Sequence, residues 1–223
     1  MMGLFDRYRR PDDLPQGIPV FPLAGALLLP RADLPLNIFE PRYLAMVDHA
    51  MSTDRLIGMI QPDAGDEAGE VPALMKVGCV GRITSWSETP DDRMLVTLTG
   101  VSRFLVVDEL DTDTPFRQVI ANYHPFAADL ATGAGEAEVN RPALLKVFRD
   151  YLDANNMSAD WKEVGSAPTE VLVNTLSLLA PYPPQEKQAL LEAPDLKTRA
   201  DVLVALTEMA LGKTGKGAKP RLQ

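Results

Sequence analysis

"KVGCVGRITSWSETPDDRMLVTLTGVSRFLVV", residues 76–107, decides the fold class of this chain. Val, Ile, Thr, Trp and Phe fill two runs, Lys76 to Ser87 and Met94 to Val107, and β-branched and aromatic side chains favour a pleated strand. Between the runs lies "ETPDDR", whose proline and paired aspartates suit a chain reversal. One long antiparallel hairpin is the expected product. A lone hairpin is marginal in water, so further strands must cover it.

Those strands lie on both sides. "RLIGMIQP" (55–62) and Phe116 to Tyr123 read as strands, and "IPVFPL" (18–23) and "LLLP" (27–30) are apolar runs cut by Pro19, Pro22 and Pro30. Proline confines such runs to strand ends or sheet edges, so both are read as irregular strands of a small barrel. The acidic, glycine-bearing "DAGDEAGE" (63–70) reads as an exposed loop, and the charged, proline-punctuated residues 1–16 as a loose arm.

The pattern changes at Pro125. "PFAADLATGAGEAE" has the alanine and glycine content of a linker, assigned here to 125–139. Helical stripes follow: Leu144, Leu145, Phe148, Tyr151 and Leu152, then Leu172, Leu176 and Leu179, then Leu203, Leu206 and Met209, with Pro184 opening a shorter helix. The organisation is α+β by segregation, with a β-rich barrel at 17–124, a helical bundle at 140–212 and a flexible basic tail at 213–223.

Within the barrel half, "LPLNIFEPRYLAMVDHAM" (34–51) joins strand to helix. Leu34, Leu36, Ile38 and Phe39 read as extended and largely buried. Pro41 then opens a helix with Tyr43, Leu44, Val47 and Met51 on one face. Asn37, Glu40 and Arg42 fall at the junction, where a polar clamp is expected, with the Arg42 fork holding a carboxylate.

Composition narrows the function classes. With 31 acidic against 22 basic side chains the net charge is −9, which repels phosphate backbones and anionic lipid. Lys213, Lys216, Lys219 and Arg221 concentrate basic charge in the tail, the one segment suited to nucleic acid. The single cysteine, Cys79, excludes an internal disulfide framework. No apolar run reaches the ~18 residues a membrane span needs, and no secretory signal opens the chain. A cytoplasmic protein without a membrane role is expected.

Enzyme signatures fail one by one. "TEMALGKTGKG" ends in GKT, yet Thr207 stands where a phosphate loop needs glycine, and Gly212 follows a helix rather than preceding one; it reads as a helix C-cap. "GAGEAE" lacks the third glycine of a dinucleotide fingerprint. Neither G-x-S-x-G nor H-E-x-x-H occurs. His49, His124 and Cys79 have no ligand spacing, so no metal and no cofactor are expected. Cys79 lies in the strand-like "VGCVGRI" as a small buried thiol, His124 precedes a proline, and His49 sits on the exposed side of its helix. No catalytic residue is assigned.

The ordered motifs "PVFPLAGALLLP", "LPLNIFEPRYLAMVDHAM", "IGMIQP", "VGCVGRITSW" and "LTGVSRF" resemble the N-terminal substrate-recognition domain of Lon proteases, and "PYPPQEKQALLEAPDLKTRADVL" is similar to its helical portion. The resemblance spans about Ile18 to Leu211. It implies a PUA-like pseudobarrel followed by a helical bundle. The ATPase and serine-lysine peptidase modules of full Lon enzymes are not found before Gln223, so the chain resembles a stand-alone recognition domain. One departure is Arg31 in "LLPRADLP", where Lon proteins more often carry glycine.

The resemblance implies a non-catalytic module that binds exposed peptide or unfolded protein segments, with a separate protease or chaperone as partner. Phe39, Arg42, Tyr43, Arg82, Trp86, Arg103 and Phe104 are the candidate binding residues, because such a surface needs apolar side chains with charged margins. Two other readings stand beside it: a small hydrolase built around Cys79, and a PUA-like RNA-binding module, which the net charge opposes. The sequence does not set the oligomeric state.

Overall fold

The structure, a computed structural model, describes residues 7–63 and 72–215; most of the acidic loop and the end of the basic tail lie outside these. Six strands form one sheet: β1 (Gly17–Pro22), β2 (Asp33–Ile38), β3 (Leu56–Ile60), β4 (Val77–Glu88), β5 (Met94–Leu110) and β6 (Gln118–Asn122). Their order is β2-β5-β4-β3-β1-β6, and β6 pairs again with β5. That second pairing closes a five-stranded ring. All pairs are antiparallel except β1 with β3.

The hairpin makes the closure possible. One edge of β5 runs along β4, while the other is shared: Met94–Thr99 pairs with β2, and Leu105–Leu110 with β6. A strand serving two partners must curve, and register shifts at Val80/Gly81, Ile83/Ser85 and Val106/Asp108 supply the bulges that bend it. The strand-to-helix stretch follows the same logic, with α1 (Pro41–Ser52) starting on Pro41 and burying Tyr43, Met46, Val47 and Ala50.

The barrel has two dry sides. Ile18, Val20, Leu56, Val80, Val101, Phe104 and Val119 fill its interior, while Ile57, Met59 and Cys79 face outward into a second core shared with α1 and the helical half. This explains why every residue of β3 is buried: a strand covered on both faces loses the polar alternation of a half-exposed one.

Four expectations need correction. Leu27–Leu29 are buried but form no strand; Pro30 lacks a donor, and the chain turns at Arg31, whose φ is +62°. Residues 7–16 are no loose arm, since Tyr8 and Leu14 are buried against the barrel interior. The supposed linker is a docked strap of two 3-10 turns, His124–Leu130 and Glu136–Glu138, with Asp129 buried. Gly212 is not a C-cap, because the last helix continues to Gly215.

The helical half comprises α2 (Arg141–Ala154), α3 (Trp161–Ser166), α4 (Thr169–Leu179), α5 (Pro184–Glu192) and α6 (Leu196–Gly215). Asn140 Oδ1 caps α2 by accepting from the Ala143 amide at 3.2 Å, and Asp160 caps α3 by accepting from Lys162 and Glu163. Among the described residues no helix is long and apolar enough to cross a membrane.

Candidate functional site

The seven sequence candidates separate by depth. Beyond Ile83 the tip of the β4–β5 hairpin projects past the barrel, and residues 84–88 of β4 are exposed. Trp86 stands there half in solvent, and Phe39, one residue past the end of β2, is 60% exposed. They share one end of the sheet: Trp86 is opposite Val96, which is opposite Leu36, and the next positions along pair Ile38 with Met94 and Met94 with Glu88. Arg93 lies over the Phe39 ring at 5.7 Å, and Arg42 over the Tyr43 ring at 4.5 Å. Phe39, Arg42 and Trp86 are therefore all accessible near one end of the sheet.

The other candidates do not reach it. Phe104 is fully buried as the central plug of the barrel; a Cβ on Gly78 would come within 2.5 Å of its ring, and one on Gly58 within 3.0 Å. Tyr43 packs against Phe21 with ring centroids 4.1 Å apart. Arg82 donates to Tyr8 Oη at 3.0 Å and to the Asp54 carbonyl at 2.7 Å. Arg103 is buried. Nothing in the strand pattern separates Trp86 from Phe104, because the difference is where the hairpin leaves the barrel.

The expected clamp is smaller and wetter than the sequence indicates. Arg42 Nη2 meets Glu40 Oε2 at 2.8 Å, with both side chains about half exposed, a setting in which an ion pair contributes little. Asn37 stands apart on the exposed face of β2, opposite Leu95.

The buried polar chemistry lies instead where barrel meets helices, and most of it was missed. Arg103 holds Asp129 at two points and donates to the carbonyls of Leu191 and Ala193. Arg31 holds Glu170 through Nε and Nη2, each at 2.8 Å, and donates to the Asp129 carbonyl at 2.7 Å. Arg199 donates to Asn174 Oδ1 at 3.0 Å, and Asn174 Nδ2 to the Pro30 carbonyl at 2.9 Å. Burial, with the nearby Arg103 charge, pulls Arg199 down to about 10. Gln61 Nε2 bridges to Gln188 Oε1 and the Pro184 carbonyl at 3.0 Å each. These groups fix the two halves together, and every acceptor is a carboxylate, amide or backbone oxygen already engaged.

Little here supports catalysis. Cys79 is fully buried, and burial first, then the Asp129 charge, push its thiol far above the usual range, whereas a nucleophilic cysteine needs the opposite shift. His49 packs on Phe116 at 5.3 Å, and the exposed His124 lies 3.4 Å from Asp12. Among the described residues no group of three His, Cys, Asp or Glu side chains could hold a metal ion.

The described residues thus build a closed barrel locked to a helical half, with Phe39 and Trp86 exposed and the Cys79 thiol buried. The family model of the ATP-dependent protease La (LON) substrate-binding domain matches residues 17–208. The chain belongs to this family. It is 27% identical over 207 residues to Lon protease 2 of Myxococcus xanthus, covering 87% of this chain and 24% of that protein, and 25% identical to the Lon protease of Anaeromyxobacter dehalogenans, covering 87% and 23%. The chain thus spans about a quarter of the length of these curated relatives. Among solved structures, a Lon N-terminal domain protein from Xanthomonas campestris superposes with a TM-score of 0.60 at 22% identity, covering 85% of this chain and 97% of that one. The N-terminal domain of the Mycobacterium avium complex Lon protease gives 0.60 at 15% identity, covering 86% and 98%. These two likenesses establish the fold.

Proposed function

We propose that the chain is a non-catalytic recognition module that binds exposed peptide or unfolded segments of other proteins and delivers them to a partner protease or chaperone, in the service of ATP-dependent proteolysis. The observation that carries this reading is the exposure of Phe39 and Trp86 at one end of the sheet in a member of a substrate-binding family. Large aromatics left in water supply the apolar area that an unfolded segment seeks, and Arg42 and Arg93 supply charged margins. Membership in the family supports the proteolytic context. The acidic balance disfavours nucleic acid as the ligand, and the buried thiol disfavours a cysteine hydrolase.

The test is titration of a fluorescent, permanently unfolded polypeptide against the full chain and a Phe39→Ala, Trp86→Ala double variant. Both side chains are exposed, so the variant should keep its unfolding midpoint. A loss of affinity of roughly tenfold is expected from two aromatic anchors. Equal binding by a folded double variant would remove Phe39 and Trp86 from the mechanism.

A further inference from the structure

The sheet has two unshared edges at the end where the β4–β5 hairpin projects. β2 pairs with β5 alone. β4 is covered by β3 as far as Arg82, opposite Leu56, and the Ile83 amide then donates to the Arg55 carbonyl at 2.8 Å. Residues 84–88 of β4 run on beyond that bond, all exposed, and among the described residues β5 is their one strand neighbour.

Register decides which main-chain groups are spare, because hydrogen-bonded and non-hydrogen-bonded positions alternate along an antiparallel pair. The Thr89 amide donates to the Arg93 carbonyl at 2.9 Å. Ser87, opposite Leu95, and Ser85, opposite Thr97, therefore turn their amides and carbonyls toward β5. Trp86 and Glu88 turn theirs away. Among the described residues no hydrogen bond reaches these outward groups.

The β2 edge is built differently. The Gly100 amide donates to the Ala32 carbonyl at 2.9 Å, and the same alternation aims the main-chain groups of Leu34 and Leu36 at β5, which leaves Pro35 on the open side. Proline has no donor to offer there and blunts an edge strand against further pairing. Residues 84–88 contain no proline. One edge of the projecting sheet is thus blunted and the other is not.

We infer that residues 84–88 of β4 receive an extended segment of another polypeptide as an added strand, its main chain pairing with Trp86 and Glu88 and every second side chain lying beside the half-exposed Trp86 ring. This pairing rests on the peptide-binding reading above and adds the conformation it requires: extended, with apolar residues at alternate positions. On the opposite face Ser85 and Ser87 are small, so the intervening residues are free to vary. Main-chain pairing gives affinity with little dependence on sequence, which suits a module for unfolded chains. A second copy is a poor strand donor, because each chain carries a net charge of −9.

The probe is a fluorescent peptide of about seven residues, Val alternating with Lys, roughly 23 Å long when extended. The full chain should bind it saturably. N-methylation of alternate amides, on the Val set in one version and on the Lys set in another, removes donors along one side of the peptide only. One version should lose about tenfold or more in affinity, and the other should bind as the unmodified peptide does. Glu88→Pro deletes an outward amide that β5 does not use and should weaken binding about tenfold or more. Glu88→Ala keeps that amide and should bind as the parent does. Amide exchange at Trp86 and Glu88 should slow when the peptide saturates the chain. No saturable binding, equal affinity of the two methylated versions, indifference of a folded Glu88→Pro variant, or unchanged exchange at Trp86 and Glu88 would each overturn the assignment. So would a dimer in solution that Glu88→Pro dissolves, because the added strand would then come from a second copy. Unfolded polypeptide that needs Phe39 and Trp86 while the methylated peptides bind equally would keep the recognition reading and remove the strand pairing.

Discussion

Arg103 and Asp129 form a two-point ion pair, Nε to Oδ2 and Nη2 to Oδ1 at 2.8 Å each, with both side chains less than a tenth exposed. The Asp129 carboxylate also accepts the Arg103 amide at 3.0 Å, and the Phe126 ring covers the guanidinium at 4.5 Å. One pair thus ties β5 to the strap and, through the carbonyls of Leu191 and Ala193, to the turn between α5 and α6. Removing a single partner leaves a buried charge uncompensated, at a cost of about 3–5 kcal/mol. Asp129→Ala should lower stability by that amount in urea unfolding, and adding Arg103→Met should recover part of it. A loss under about 1 kcal/mol in the single variant would show that water reaches the pair.

Arg31 presents a conflict between backbone and side chain. Its φ of +62° lies where glycine is favoured, and a non-glycine residue there costs about 1–2 kcal/mol. The side chain offsets this by holding Glu170, with both partners about a tenth exposed. Glycine would suit the turn, and the arginine here adds a cross-link to α4. Arg31→Ala keeps the backbone cost and loses the pair, whereas Arg31→Gly loses the pair but also removes the backbone cost. The alanine variant should therefore be about 1 kcal/mol less stable than the glycine variant. Equal midpoints would mean that the turn relaxes away from positive φ once the guanidinium is gone.

How far the sequence reached follows from the range of each interaction. The hairpin was legible because its two strands and turn are contiguous, and α1 and α5 because Pro41 and Pro184 mark their first turns. Barrel closure was not, since β6 must pair with both β1 and the far half of β5. The locking network was the least legible. Arg31 and Glu170 are 139 positions apart, and Asn174 reaches a carbonyl 144 positions away. Asp129 was hidden in an alanine-rich stretch whose composition resembles a tether. Of the site candidates, Phe39 and Trp86 emerged exposed while Phe104 emerged buried, and this depends on where β4 outruns the barrel, a tertiary fact.

Gly100 is required by close approach. A Cβ built there would lie 2.0 Å from the Leu29 carbonyl oxygen, a backbone atom that cannot swing away. The same glycine accepts from the Arg31 amide at 2.8 Å and donates to the Ala32 carbonyl at 2.9 Å. Gly100→Ala must therefore displace the segment that also anchors Asn174 through Pro30, and about 1–3 kcal/mol or more should be lost. Gly165 in α3 is the control, since a Cβ there meets nothing within 4 Å. Gly165→Ala should stabilise by roughly 0.5–1 kcal/mol. Comparable midpoints for the two variants would contradict the packing of Leu29 against β5.

Cys79 gives the fold a measurable sensitivity to alkali. Burial raises its pKa in the folded chain, while the unfolded chain ionises near the ordinary value of about 8.5. The folded state therefore holds the proton more tightly, so this contribution to stability is complete below about pH 8.5 and is lost as pH rises above it. The slope attributable to one thiol approaches 1.36 kcal/mol per pH unit. Burial also raises Tyr43, Tyr123 and Tyr182, whose effect begins as pH nears the ordinary tyrosine value of about 10, so the window from about pH 8 to 9 isolates the thiol. Urea midpoints across that window should fall more steeply for the parent than for Cys79→Ala, even though the variant starts lower at pH 7 from its small cavity. Thiol reagents at pH 8 should label the parent only as fast as it unfolds. Parallel pH slopes, or rapid labelling of the folded chain, would place the thiol within reach of water and return Cys79 to the list of reactive groups.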